Sequence, residues 1–215
     1  MATDNESTNI ILIHGLFMPG VAMIKLRNYF KDQGYTTTVF SYHTISETPE
    51  KNAEELKKLI ESLGNNNVII CHSLGGLLTQ KTLAMMENPE KKIQKVISMG
   101  TPWQGASILT FMQQYRLDGI VGKSLEILLP KDNNQWQFSD ITLGSIAGKS
   151  TMGARILFAP GKKIPTDGTV TIEETKIKGM TDHTIIPVSH TGLIFSNLAA
   201  KKALQFIQEN HFENN

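Results

Sequence analysis

The sequence predicts an α/β protein with a mostly parallel central sheet flanked by helices. Two features carry this expectation. Between residues 9 and 99, short continuous apolar runs alternate with stretches of helical periodicity, as strands covered on both faces by crossover helices require. In addition, a serine stands in a sharp turn, CHSLGG at residues 71–76, between one apolar run and the helix that follows it. A parallel sheet gathers its ligand chemistry at such carboxyl ends of strands.

The elements follow in order. Asn9–Ile13 is a short apolar run and reads as a buried strand. Residues 20–32 read as a helix, with Val21, Ile24, Leu26, Tyr29 and Phe30 near helical spacing and Gly34 as its stop. Residues 36–42 are the second strand. Thr48 is an N-cap with Pro49 at the first helical position. The helix opened there carries Ala53, Leu56, Leu59, Ile60 and Leu63 on one side and ends near Gly64. Residues 67–71 form the third strand, 74–87 the next helix and 95–99 the fourth strand. Residues 102–140 break the rhythm. Their apolar clusters, Ile108, Leu109, Phe111 and Met112, then Ile120 and Val121, then Leu125 and Ile127 to Leu129, lack strand alternation and predict short inserted helices. Residues 141–147 return to strand, 185–188 are the last strand, and 193–207 the closing helix.

The chain has 215 residues, of which 40% are hydrophobic, enough for a core. No linker or shift in composition divides it, so one domain over 1–215 is expected, with 102–140 as a cap-like insertion. The net charge of +1 gives no argument for nucleic acid or an anionic membrane as partner. Cys71 is the sole cysteine, so no intrachain disulfide can form, which fits a reducing compartment. The start, MATDNESTN, lacks the basic and apolar regions of a secretory signal, and no apolar run reaches the ~18 residues of a membrane span. A cytoplasmic protein is the expectation.

Ser73 sits where a strand turns abruptly into a helix. Such a turn needs small residues two before and two after the serine, here Cys71 and Gly75. It lifts the hydroxyl clear of the sheet and aims the first helical amides at the same space, where the helix dipole favours a developing oxyanion. The alternative is a serine that merely caps the helix. Two other places favour chemistry. His14-Gly15 ends the first strand, so the amides of Leu16 and Leu74 are candidates for an oxyanion hole. A serine nucleophile also needs a base and an orienting acid. PTDGTV at 165–170 and PVSHTG at 187–192 offer Asp167 and His190, in the chain order Ser, Asp, His.

On these stretches, together with LIHGLF (12–17), GTPWQG (100–105) and SHTGL (189–193), the chain resembles the α/β-hydrolase superfamily, and within it small bacterial serine esterase- and lipase-like hydrolases. The resemblance implies an α/β-hydrolase fold with a small cap insertion after the nucleophile-bearing half. It implies Ser73 as nucleophile, His190 as base and Asp167 as acid, with oxyanion amides from Leu16 and Leu74. Cys71 departs from the glycine commonest at that place. The implied activity is hydrolysis of a carboxylic ester through an acyl-enzyme, on a small-molecule ester or lipid and without a cofactor. Two other readings stay open: an acyltransferase using the same residues, and a non-catalytic binding protein on a hydrolase fold.

Several residues compete for roles. Asp182 lies nearer His190 in sequence, but it would begin the last strand, far from its carboxyl end. His72 is expected to point away from the nucleophile. His14 either orders the oxyanion loop or is a satisfied buried histidine. Cys71 is expected to be packed inside the turn. The six histidines show no metal-ligand spacing. Phe17, Trp103 and Phe111 are candidates for an acyl pocket, although Trp103 could equally belong to the core.

Overall fold

The computed structural model describes residues 8–107, 109, 113, 118–129, 134–150 and 164–213. Six parallel strands form one sheet in the order β2-β1-β3-β4-β5-β6. They are β1 (Asn9–Ile13), β2 (Thr36–Phe40), β3 (Asn67–His72), β4 (Ile93–Met99), β5 (Thr142–Gly148) and β6 (Asp182–Ile186). The main helices are α1 (Ile24–Asp32), α2 (Pro49–Ser62), α3 (Leu74–Ala84) and α4 (Asn197–Glu209).

Alternation along β1 shows how the sheet is covered. Ile11 and Ile13 join the core under α2 and α3, with Ala53, Leu56, Leu77 and Leu78. Ile10 and Leu12 face the opposite way, toward Leu26 and Phe30 of α1 and Ala203 and Phe206 of α4. Every residue of β1 and β3 is buried, which is why both read as unbroken apolar runs. The chain runs from β1 outward to β2 and then back across to β3. The strand order therefore reverses between β1 and β3, and that crevice is where an open α/β sheet binds ligands.

The expected start of α2 is present: the Thr48 side chain accepts from the Lys51 amide and Pro49 occupies the first turn. Other boundaries differ for physical reasons. The segment 20–32 opens as a 3₁₀ turn (Gly20–Met23), and Val21 and Ile24 are exposed; Met23, Leu26 and Phe30 make the buried face. β2 stops at Phe40, and α3 stops at Ala84. The last strand lies three residues earlier than the run 185–188. β6 is an edge strand, half-exposed through His183 and Thr184, so it needs no apolar run. Pro187 has no amide to donate, and the Val188 amide turns back to the Ile186 carbonyl (2.9 Å), ending the strand. The closing helix is broken at Ser196, whose extended backbone and side chain cap α4, leaving one helical turn at Gly192–Phe195.

Between β4 and β5, the described residues include a 3₁₀ segment (Asp118–Ser124) and one helical turn (Leu125–Leu128). Leu109, Val121, Ile127 and Leu128 are buried with the α2–α3 face of the core. Ser124 donates to the Thr44 carbonyl and the Lys123 amide to that of Ile45, fastening this segment to the loop after β2. Ile108, Phe111 and Met112 lie outside the described residues. Among the described residues, no helix is long and apolar enough to cross a membrane.

Candidate active site

Ser73 follows β3 with a backbone at φ 52°, ψ −122°, a conformation a residue with a Cβ rarely adopts. Its amide donates to the Met99 carbonyl at 3.0 Å, and its own carbonyl accepts from Thr101 Oγ1 at 3.0 Å and from the Gly76 amide at 3.0 Å. The Ser73 side chain makes no capping bond to α3, so the hydroxyl is free of the helix start. The need for glycine at 75 is steric. A Cβ there would stand 2.7 Å from the His14 carbonyl oxygen and 2.9 Å from that of Ile13. These are backbone atoms that cannot step aside, so α3 begins in direct contact with the end of β1.

The three candidate side chains converge. Ser73 Oγ is 3.0 Å from His190 Nε2, and His190 Nδ1 is 2.7 Å from Asp167 Oδ2. A carboxylate only accepts, so Nδ1 carries the proton and Nε2 is free to accept from the serine hydroxyl. The second carboxylate oxygen of Asp167 accepts from the amides of Thr169 (2.9 Å) and Val170 (2.8 Å) in its own turn. The His190 amide donates to the Asp167 carbonyl at 2.9 Å, joining the two loops by backbone as well. Asp167 is 1% exposed, while Ser73 and His190 are each 9% exposed. Asp182 stands elsewhere: at the start of β6 it accepts from the amides of His183 and Phe212.

His14 is a buried histidine with a partner at each ring nitrogen. Its Nδ1 donates to the Gly15 carbonyl (3.0 Å), its Nε2 accepts from the Tyr42 amide (3.2 Å), and its ring stacks on Tyr42 at 4.5 Å. The Tyr42 hydroxyl donates to the His14 carbonyl at 3.0 Å. The loop that carries Leu16 is therefore pinned to the chain leaving β2. Among the described residues, no protein acceptor takes up the amides of Leu16 or Leu74. Cys71 is fully buried, and burial pushes its thiol up to about 12, far from a reactive thiolate.

A cavity of about 380 Å³ opens at Ser73 and His190. Leu16, Leu109, Val121, Leu128 and Val170 make its apolar wall, with Phe17 at its rim. A larger and more open depression, lined by residues 17–19 and 41–46, adjoins it but contains none of the three converging side chains. Trp103 does not line the cavity. The turn at 101–105 directs its indole into the core, fully buried and edge-on to Trp136 at 5.9 Å, while Pro102 takes the place in the wall. Phe111 lies outside the described residues. Among those described, no group of three or more His, Cys, Asp or Glu could hold a metal.

Four contributors were not assigned from sequence. Tyr42 and Thr101 act through bonds spanning 28 residues each, which no local pattern announces. His72, expected to point away from the nucleophile, has its Nε2 3.0 Å from the His190 carbonyl oxygen. Glu174 had a readable signal. Thr171-Ile-Glu-Glu174 is a capping box, with Thr171 Oγ1 accepting from the Glu174 amide and Glu174 Oε2 accepting from the Thr171 amide. Glu174 Oε1 also accepts from the Ser107 amide at 2.7 Å, tying the segment after β4 to the loop of Asp167.

This parallel sheet, with its serine turn and the loops that meet there, is the α/β-hydrolase fold. Over residues 2–129 the chain matches the family described as a domain of unknown function, DUF7379, and it belongs to that family. No curated protein matches it in sequence. Among solved structures it is similar to the mature form of the Bacillus licheniformis lipase BlEst2, 18% identical, with 96% of this chain and 93% of that one covered at a TM-score of 0.74. The metagenomic carboxyl esterase MGS0156 is 15% identical, with 98% and 78% covered at a TM-score of 0.77. A bromoperoxidase from Bacillus anthracis is 14% identical, with 94% and 92% covered at a TM-score of 0.65. Likeness at such identities establishes the fold and leaves the reaction to the site.

Burial lowers the pKa of His14 and of His183, and burial together with the neighbouring His190 holds His72 well below the ordinary 6.5. Below that value the unfolded chain takes up protons at these positions while the folded protein does not. The unfolded state then binds more protons, so stability falls as pH falls. Thermal unfolding should give a Tm that is level above about pH 7 and declines between pH 6.5 and 5. A Tm that holds steady or rises over that acid range would contradict the neutral, buried state of these histidines.

Proposed function

We propose that this protein is a serine hydrolase that cleaves carboxylic esters. The observation that supports this most is the hydrogen-bonded chain from Ser73 Oγ to His190 Nε2 (3.0 Å) and from His190 Nδ1 to Asp167 Oδ2 (2.7 Å). In this reading Ser73 attacks the acyl carbonyl as its proton passes to His190 Nε2. Asp167 holds the imidazole in the required tautomer and stabilises its cation. The amides of Leu16 and Leu74 hold the tetrahedral oxyanion. His190 then returns the proton to the departing alcohol, and water, activated by the same imidazole, releases the acid from the acyl-enzyme.

The apolar wall of the cavity suits an acyl chain, and Ala106, Leu109, Val121 and Leu128, from the described part of the insertion, act as its cap on a single domain. The substrates are esters of short- to medium-chain acids, because a 380 Å³ space lined by Leu109, Val121 and Leu128 is apolar but bounded. The named activities of BlEst2 and MGS0156, a lipase and a carboxyl esterase, lend support by analogy.

The test is hydrolysis of p-nitrophenyl esters alongside labelling by a p-nitrophenyl alkylphosphonate. The protein should hydrolyse the esters and gain one phosphonyl group on Ser73, and Ser73→Ala should lose at least about 10³-fold in kcat with the fold retained. An unlabelled Ser73, or a Ser73→Ala variant of undiminished rate, refutes the reading. The acyl assignment has its own check. Val121→Phe should lower kcat/KM for the octanoyl ester by about tenfold or more relative to the acetyl ester. An equal effect on both esters places the acyl chain elsewhere.

A further inference from the structure

His72 takes no part in the hydrogen-bonded chain of Ser73, His190 and Asp167, yet its ring is wedged between the two loops that flank the serine. Its Nε2 lies 3.0 Å from the carbonyl oxygen of His190, and the two ring centroids are 4.7 Å apart with planes tilted by 48°. On its other side, a Cβ placed on Gly15 would stand 2.7 Å from His72 Nδ1 and 3.3 Å from Cε1. The ring thus occupies the space that a side chain at 15 would need. The two motifs HGL and CHSLGG are coupled by this contact.

The tautomer follows from the partner. A carbonyl only accepts, so Nε2 carries the proton, and Nδ1 is a bare lone pair, buried and without a protein partner. His72 is the last residue of β3, in register with Met99 of β4, so the sheet sets where the ring stands. Among the described residues, the His190 carbonyl also accepts from the Leu193 amide, at 3.3 Å and shared with the Ser189 carbonyl. The bond from His72 is the shorter of the two, and it crosses from the sheet to the loop of His190.

We propose that His72 is a positioning residue: a neutral Nε2–H donor that ties the His190 backbone to the end of β3 and holds the imidazole against Ser73. Its substrate-free role rests on the serine-hydrolase reading only for its effect on rate. Its neutrality matters because the rings near it are His190 and His14, with Asp167 beyond His190. A proton on Nδ1 would have no acceptor at Gly15 and would set a second cation beside an imidazole that must itself become charged. Burial keeps His72 in the neutral form.

The test pairs His72→Gln with His72→Asn. Glutamine carries an amide N–H near the position of the imidazole Nε2, and asparagine falls one methylene short. Two readouts are taken on folded protein: the downfield proton NMR signal of His190 Nδ1 in its bond to Asp167, and kcat with KM on p-nitrophenyl acetate. His72→Gln should retain the signal and most of kcat. His72→Asn should broaden or lose the signal and lower kcat by about 10- to 100-fold, because the His190 carbonyl loses the shorter of its two hydrogen bonds and with it the tie to β3, with KM little changed. Equal behaviour of both variants and the wild type overturns the proposal. Nitrogen NMR of the wild type tests the same point without a variant, since a proton found on Nδ1 of His72 overturns it as well. A signal that depends on His72 in a protein without esterase activity would leave the positioning role standing and remove the hydrolase reading instead.

Discussion

Ser73 holds a backbone conformation that costs on the order of 1–3 kcal/mol in a residue with a side chain, and the rest of the site is arranged around keeping it there. The restraint comes from three sides. β4 accepts the Ser73 amide through Met99, Thr101 donates to its carbonyl, and α3 is pressed against the carbonyls of Ile13 and His14 through Gly75. The contacts come from the end of β4 and the end of β1, so the serine is aimed by the two strands that flank β3. The same packing orients the first turn of α3 and the loop at 14–16 toward one space. Neither the strained turn nor the loop would persist alone.

Asp167 and His190 are held by a different logic. Both sit on loops, beyond β5 and β6, where no strand dictates their position. Asp167 divides its carboxylate, one oxygen binding the amides of its own turn and the other meeting His190. Glu174 fixes the far end of that loop and reaches across to Ser107. The loops are thus stiffened by charge-assisted bonds to backbone amides, which are stronger than bonds between neutral groups. A bromoperoxidase shares this fold, so the sheet does not select a reaction. The selection lies in which groups the loops bring within hydrogen-bond reach of Ser73.

Much of this was legible in the chain because the buried strands and capped helices obey local rules. β1 and β3 are covered on both faces and read as apolar runs; Thr48-Pro49 announces α2; and the order Ser73, Asp167, His190 marks the converging residues. The failures share a cause. β6 is an edge strand whose buried side is partial, so its residues Asp182, His183 and Thr184 do not look like a strand, and the apolar run beginning at Ile185 drew the prediction downstream. Trp103 offered an aromatic ring in the right loop, but the direction of that ring is set by packing on Trp136, which lies 33 positions away. Tyr42 continues the strand pattern of 36–42 in sequence, although it leaves the sheet to clasp His14. Long-range contacts of this kind carry no local periodicity, and they supply the second layer of the site. Glu174 is the exception, since its capping box was written in the sequence.

In the proposed reaction Ser73, His190 and the amides of Leu16 and Leu74 surround one reacting carbon. This arrangement is tested most directly by the crystal structure of the protein after reaction with an octylphosphonate ester. The account predicts a covalent bond from Ser73 Oγ to phosphorus, a phosphoryl oxygen about 2.7–3.1 Å from the amides of both Leu16 and Leu74, and an alkyl chain running along Leu109, Val121 and Leu128. An adduct whose phosphoryl oxygen points away from those amides, or whose chain lies in the open depression at residues 41–46, would contradict it.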